Sequence, residues 1–315
     1  MAYNSYFDKI LKEDPFFRKG FKQQYYRGCL ENILDELQKD VLNVDDFYSM
    51  VRLVLHPARI IRGVIDYKLS FPYAQSLDVL MQSALDLSLE IYSLGQNLPL
   101  KINEFKGKIN DTGNYLLLEN EICQNVDGIT WKASNPVKTK KTVEELIGKT
   151  NKSPVLFVAL GHGGVASGMD TYLRYCDMCK DNDSAFYVVR FSTRKMKDKI
   201  PCVDSYDINY LKQNIENRIT VVFDEDKSTG NTLNSAVSFL RDNIFCGIEP
   251  IGLINLDSSD ELQNQTGNDM IMLKSNLCFG KKNINVKIVN EYGVIRYQRD
   301  FEEIDDLDDL EKYCI

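Results

Sequence analysis

The sequence predicts an α/β protein, a parallel sheet with flanking helices, preceded by a mostly α-helical N-terminal domain. Three observations carry this. Four short apolar runs, PVLFVALG, AFYVVRF, ITVVFD and EPIGLINLD, are rich in Val, Ile and Phe, the pattern of strands buried on both faces. Segments of helical character, SGMDTYLRYCDMC and TLNSAVSFLRDNI, lie between them, and strands alternating with helices imply βαβ units. The first hundred residues differ. They carry apolar residues at mixed three and four spacing, as in CLENILDELQKDVL and SLDVLMQSALDLSLEIYSL.

In chain order, residues 1–109 read as a helical domain with breaks at HPARIIRG and SFPYAQS. Residues 110–152 read as a small β or linker region and a candidate hood. The polar, Gly- and Asn-punctuated pieces from Leu98 to Lys152, NYLLLENEI and DGITWKAS among them, suggest a hairpin or small sheet. Residues 153–315 form the α/β domain with a C-terminal extension, in which NLCFGKKNINVKIVNEYGVIRYQRD reads as strands and turns. The acidic DFEEIDDLDDLEKY reads as a solvated terminal helix. His56, beside Pro57 in an apolar helical stretch, reads as a packing residue.

At 315 residues the chain has room for two domains. Its 38 Lys and Arg against 46 Asp and Glu give a net charge of -8, which argues against holding nucleic acid by bulk charge. A charged N-terminus and the lack of any run of about 20 apolar residues lead us to expect a cytoplasmic protein with no membrane segment. Eight cysteines scattered over such a chain read as free thiols. Cys176 and Cys179 form a CxxC with no second pair and only two histidines in the chain, so a zinc site lacks ligands.

Ligands in parallel sheets sit beyond the carboxyl ends of the strands, and two loops stand out there. In ITVVFDEDKSTGNTL a buried strand ends at Phe223, Asp224 and Glu225 follow, and Ser228, Thr229, Gly230, Asn231 and Thr232 lead into a helix. Backbone N–H groups at a helix start make an anion cradle, and Gly230 permits close approach. The carboxylates can accept hydrogen bonds from sugar hydroxyls or hold a hydrated cation. Together these describe a ribose 5-phosphate site. Upstream, a strand runs into the turn His162, Gly163, Gly164.

These residues resemble the type I phosphoribosyltransferases over about residues 153–260. The resemblance implies a phosphoribosyltransferase-like fold and binding of phosphoribosyl pyrophosphate (PRPP) with Mg²⁺. Asp224 and Glu225 would hold the ribose hydroxyls and the metal, and Ser228 to Thr232 the 5-phosphate. His162, Gly163 and Gly164 would lie against the pyrophosphate. The basic loop carrying Arg194 and Lys195, with Lys197 and Lys199, would meet its charge. Phosphoribose would pass to an unidentified nucleobase or other acceptor, and a homo-oligomer is expected. Ser228 stands where 6-oxopurine enzymes of the family place a carboxylate, which argues against a hypoxanthine-guanine enzyme.

Other readings compete. A PRPP- or nucleotide-sensing module would bind without turnover, its helical half contacting a protein partner. That half suggests an accessory or effector protein of a microbial stress or defence system. Asp224 to Ser228 loosely fit the nucleophile motif of haloacid-dehalogenase-like phosphatases. Gly161 to Ala166 fit GxGxxA, but the next strand ends in Arg190 and Phe191 where a dinucleotide site needs an acid. A P-loop fails, since Met169 follows GGVASG. Tight strand-to-helix turns use the same residue types for geometry alone, and a basic run such as RKMKDK is commonly just solvated.

Overall fold

The computed structural model describes residues 6–12, 25–70, 76–95, 97–119, 121–125, 128–161, 163–180, 183–192, 198–227, 230–257, 285–287, 296–299 and 302–304. The four apolar runs form β3 (Val155–Gly161), β4 (Ala185–Arg190), β5 (Ile219–Lys227) and β6 (Ile251–Asp257). They pair in parallel in the order β4-β3-β5-β6. Every residue of β3 is buried, as expected of a strand with helices on both faces.

The connections are α9 (Gly164–Cys179), α10 (Ser205–Asn214) and α11 (Asn231–Asn243). Side-chain alternation along the strands separates them. On one face Phe157 meets Phe186 and Phe223, and Tyr172 of α9 packs on Phe157 and Phe186. On the other, Tyr187 stacks against Tyr210 of α10 at 4.6 Å. The Cβ position of Gly252, opposite Val222, meets Leu233 of α11. The sheet is therefore doubly wound, with α9 on one side and α10 and α11 on the other.

Upstream lie α1 (Tyr6–Leu11), β1 (Tyr25–Cys29), α2 (Leu30–Val41), α3 (Phe47–Ser70), α4 (Ser76–Ser93), α5 (Leu98–Asp111), α6 (Leu116–Glu119), β2 (Glu121–Asn125), α7 (Gly128–Ala133) and α8 (Pro136–Thr150). Most of α3 is buried, because α2, α4 and α9 all pack on it. One apolar core runs without interruption from Phe7 to Leu253. Among the described residues no helix is long and apolar enough to cross a membrane.

Two expectations change. His56 and Pro57 do not break the chain but lie inside α3. Proline costs a helix interior about 3 kcal/mol, and here packing on several sides outweighs it. Residues 98–152 are mainly helical, and β2 finds its partner far upstream in β1, with Tyr25 opposite Asn125. The lysine-rich start of α8 reads as linker from composition, yet Asn135 caps it by accepting from the Val137 N–H. Its Thr139, Thr142 and Thr150 are buried, and Thr142 donates to the Ile254 carbonyl of β6.

Near the C-terminus, β7 (Asn285–Lys287), β8 (Arg296–Arg299) and β9 (Glu302–Ile304) form an antiparallel sheet in that order. Glu302–Ile304 is thus a strand and not part of a terminal helix. The rest of that acidic segment lies outside the described residues. Cys176 and Cys179 sit in α9 as free thiols.

Candidate functional site

Chain direction across the sheet reverses at β3, which sends α9 toward β4 on one side while β5 lies on the other. Such a switch point is where open α/β sheets form ligand crevices. Here the strands part visibly. Ala159 opposite Phe223 is the last pair between β3 and β5. Beyond it Leu160 and Gly161 pair only with β4, while Asp224, Asp226 and Lys227 pair with β6. The sheet splits at its carboxyl edge, and the acidic pair stands at the split.

Two glycines, Gly164 and Gly168, set how closely α9 approaches that edge. A Cβ on Gly168 would stand 2.9 Å from the Ala159 Cβ and 3.2 Å from a Phe223 ring carbon. One on Gly164 would touch the Phe223 carbonyl at 3.4 Å and the Asp224 Cα at 3.6 Å. At Gly163 the Cβ position falls on the Glu225 carboxylate, the movable end of a flexible side chain. Alternation puts Glu225 on the face of Phe223, which is the face of α9. Its side chain therefore reaches from β5 to the amino end of that helix.

Asp224 is half-buried, and its Oδ1 accepts the Glu225 N–H at 3.0 Å. Burial, reinforced by the negative charge of Glu225, holds the Asp224 carboxyl well above the usual carboxylate range. Two adjacent carboxylates in this setting gain from a cation or from hydroxyl donors.

The second loop enters α11 through Gly230, whose φ of 73° is left-handed and so favours glycine. Gly230 accepts the Asn234 N–H at 2.9 Å, and the Lys227 stem lies against it, with Cε 3.3 Å from the Cβ position. Asn231 and Thr232 form the opening turn, whose N–H groups point out of the helix end. Of the residues singled out from sequence, the structure brings Gly163, Gly164, Asp224 and Glu225 into contact and places Gly230, Asn231 and Thr232 after the same strand. His162, Arg194, Lys195, Lys197, Ser228 and Thr229 lie outside the described residues.

Sequence reasoning missed the clamp at the base of the basic loop. The Ser192 N–H donates to Asp198 Oδ2 and the Asp198 N–H to the Ser192 carbonyl, each at 3.1 Å. Arg190 binds Asp198 at 3.1 Å and reaches Asp66 of α3 at 3.6 Å. One acid among five basic residues was the available signal.

Among the described residues no group of three or more His, Cys, Asp or Glu side chains is placed to hold a metal. The acidic pair can supply two donors, and a hydrated Mg²⁺ would complete its octahedron from water and phosphate oxygens. Fold and site together define a doubly wound α/β protein with an acidic pair at its switch point. No family model, curated protein or solved structure matches the chain.

Proposed function

We propose that this chain is a phosphoribosyltransferase-like protein that binds PRPP with Mg²⁺ and transfers phosphoribose to a nucleobase or other acceptor. The observation that carries this reading is the split between β3 and β5. There an acidic pair meets a Gly-Gly turn and a glycine-headed helix follows the same strand, and in our reading these line one crevice. Such a crevice suits a molecule with a vicinal diol flanked by two anionic groups.

In this reading Asp224 and Glu225 accept the ribose hydroxyls, and the turn into α11 takes the 5-phosphate. The amino end of α9, at Gly163 and Gly164, faces the pyrophosphate. The bond from the anomeric carbon to pyrophosphate oxygen breaks with both electrons on oxygen. A lone pair of the acceptor forms the new bond, and the acceptor's proton passes to water. Bound Mg²⁺ would neutralise charge on the departing pyrophosphate. The protein's part is positioning and electrostatic stabilisation.

PRPP with Mg²⁺ is expected to raise the melting temperature of the full chain. Asp224→Asn combined with Glu225→Gln should remove the increase. No shift at millimolar PRPP sinks the proposal. A shift without pyrophosphate release for any base offered turns the reading to a PRPP sensor, and an aspartyl phosphate trapped on Asp224 turns it to a phosphatase.

A further inference from the structure

We infer that Asp66 of α3 is a positioning residue that acts through Arg190 to fix the base of the basic loop after β4. The helical part of the chain thereby sets how that loop meets an anion. That the anion is the pyrophosphate of PRPP rests on the PRPP reading, whereas the anchoring of the loop stands without it.

Residues 193–197 lie outside the described residues, but both of their flanks are described and close on one another. Asp198 joins them, accepting the Ser192 N–H on Oδ2 and donating its own N–H to the Ser192 carbonyl. Its other carboxylate oxygen accepts from Arg190 Nη2 at 3.1 Å. The Arg190 backbone is held as well. It stands opposite Gly161 of β3, and its carbonyl accepts the Cys202 N–H at 2.9 Å. Arg190 therefore meets the neighbouring strand, the start of the loop and the returning chain together.

One more partner comes from the helical part. Asp66 Oδ1 stands 3.6 Å from Arg190 Nη1, so one guanidinium is divided between Asp198 and Asp66. A planar fork held on both sides is fixed in direction as well as distance, and its direction orients the Asp198 carboxylate that closes the loop. Asp66 is itself steadied by Arg62, one turn earlier in α3, at 3.4 Å. Behind the pair, Ile65 and Leu69 of α3, Met81 of α4, and Val188, Arg190 and Cys202 surround one small cavity. The helical part thus packs directly on the loop base, and a partly buried pair there is screened less than an exposed one. The consequence reaches β3 too, because the Phe191 N–H donates to the Gly161 carbonyl at 3.1 Å, two residues before Gly163.

Arg194, Lys195, Lys197 and Lys199 are trypsin sites, so limited digestion of the full chain reads the anchoring directly. Isothermal titration with PRPP and Mg²⁺, and separately with ribose 5-phosphate, reads its consequence. The proteins compared are wild type, Asp66→Ala and Asp66→Glu, each shown by urea denaturation to be folded. Asp66→Ala should be cut at these sites about fivefold faster than wild type and bind PRPP about fivefold more weakly. Ribose 5-phosphate carries no pyrophosphate and should bind it as it binds wild type. Asp66→Glu, whose longer side chain also reaches Arg190, should restore both values. Unchanged cutting of Asp66→Ala overturns the inference, and so does equal weakening of both ligands, which marks a general loss of structure. If wild type binds neither ligand, the PRPP reading fails and digestion alone decides. Faster cutting of Asp66→Ala that Asp66→Glu reverses then keeps Asp66 as the anchor of the loop.

Discussion

Lys68 of α3 donates to Asp207 of α10 at 2.6 Å, and this bond ties the helical part of the chain to the α/β part. The ammonium also meets Asp78 at 2.9 Å and Asp204 at 3.1 Å, and the Tyr187 hydroxyl of β4 donates to the same Asp207 oxygen. Burial works against the charge on Lys68, yet Asp207, Asp78 and Asp204 together hold its pKa above the ordinary value.

Removing this cation leaves three carboxylates unbalanced in a buried setting. Lys68→Met should destabilise the protein at pH 7 by about 3–5 kcal/mol. Asp78 is already raised by burial, against the pull of Lys68, and without that cation its carboxyl rises further. The folded state of the variant then holds extra protons, so its stability deficit should shrink as pH falls toward 4. Urea denaturation of both proteins at pH 7 and pH 4.5 measures this, and a deficit independent of pH would contradict it.

Acid should weaken the helical part through His56. The ring is fully buried, its Nε2 is 2.9 Å from Asp40 Oδ2, and Arg52 holds the same carboxylate. Burial pushes His56 down to about 4, against the pull of Asp40. The unfolded chain binds this proton below about pH 6.5 and the folded chain refuses it until about 4. The His56 contribution to stability should therefore be flat above pH 6.5 and fall by about 3 kcal/mol between 6.5 and 4. His56→Gln, which keeps a donor for Asp40, should flatten the urea midpoint over that window.

The acidic pair should be a liability for stability. Because burial and Glu225 raise the Asp224 pKa, ionisation at neutral pH disfavours the fold, and the penalty vanishes below the ordinary carboxylate range. Asp224→Asn is expected to raise the melting temperature at pH 7.5 by about 2–4 °C, the shift that ~1 kcal/mol produces in a domain of 150–250 residues. The gain should disappear near pH 4. Calorimetry at the two pH values decides it, and a lower melting temperature at pH 7.5 would refute it.

Close packing behind the pair should matter as well. At Gly168 a branched side chain would press on Ala159 and Phe223, so Gly168→Val should cost about 1–3 kcal/mol. Phe223 immediately precedes Asp224, so PRPP binding should weaken with it. A variant as stable as wild type in urea would show that α9 can move away.

The α/β part was readable because strands buried on both faces leave continuous apolar runs, and β3 to β6 fall on the four runs. The acidic pair and its glycines were readable for a related reason, since turns between strand and helix lie within a few residues of one another. Helix α8 was not, because half of its buried residues are threonines, Thr139, Thr142 and Thr150, whose partners outside the helix lie on β6 and α9. Pro57 misled for the converse reason, being a local breaker overruled by neighbours on three elements. The Lys68 to Asp207 bond joins residues 139 positions apart, a separation no local pattern spans.

The sequence by itself determined the layered fold, the strands that carry it and the local chemistry of each loop, since period, burial and turn preference are properties of short windows. Tertiary structure decided which loops meet. The parting of β3 from β5 and the reach of Glu225 to Gly163 depend on strand order and register, which follow from packing the whole chain at once.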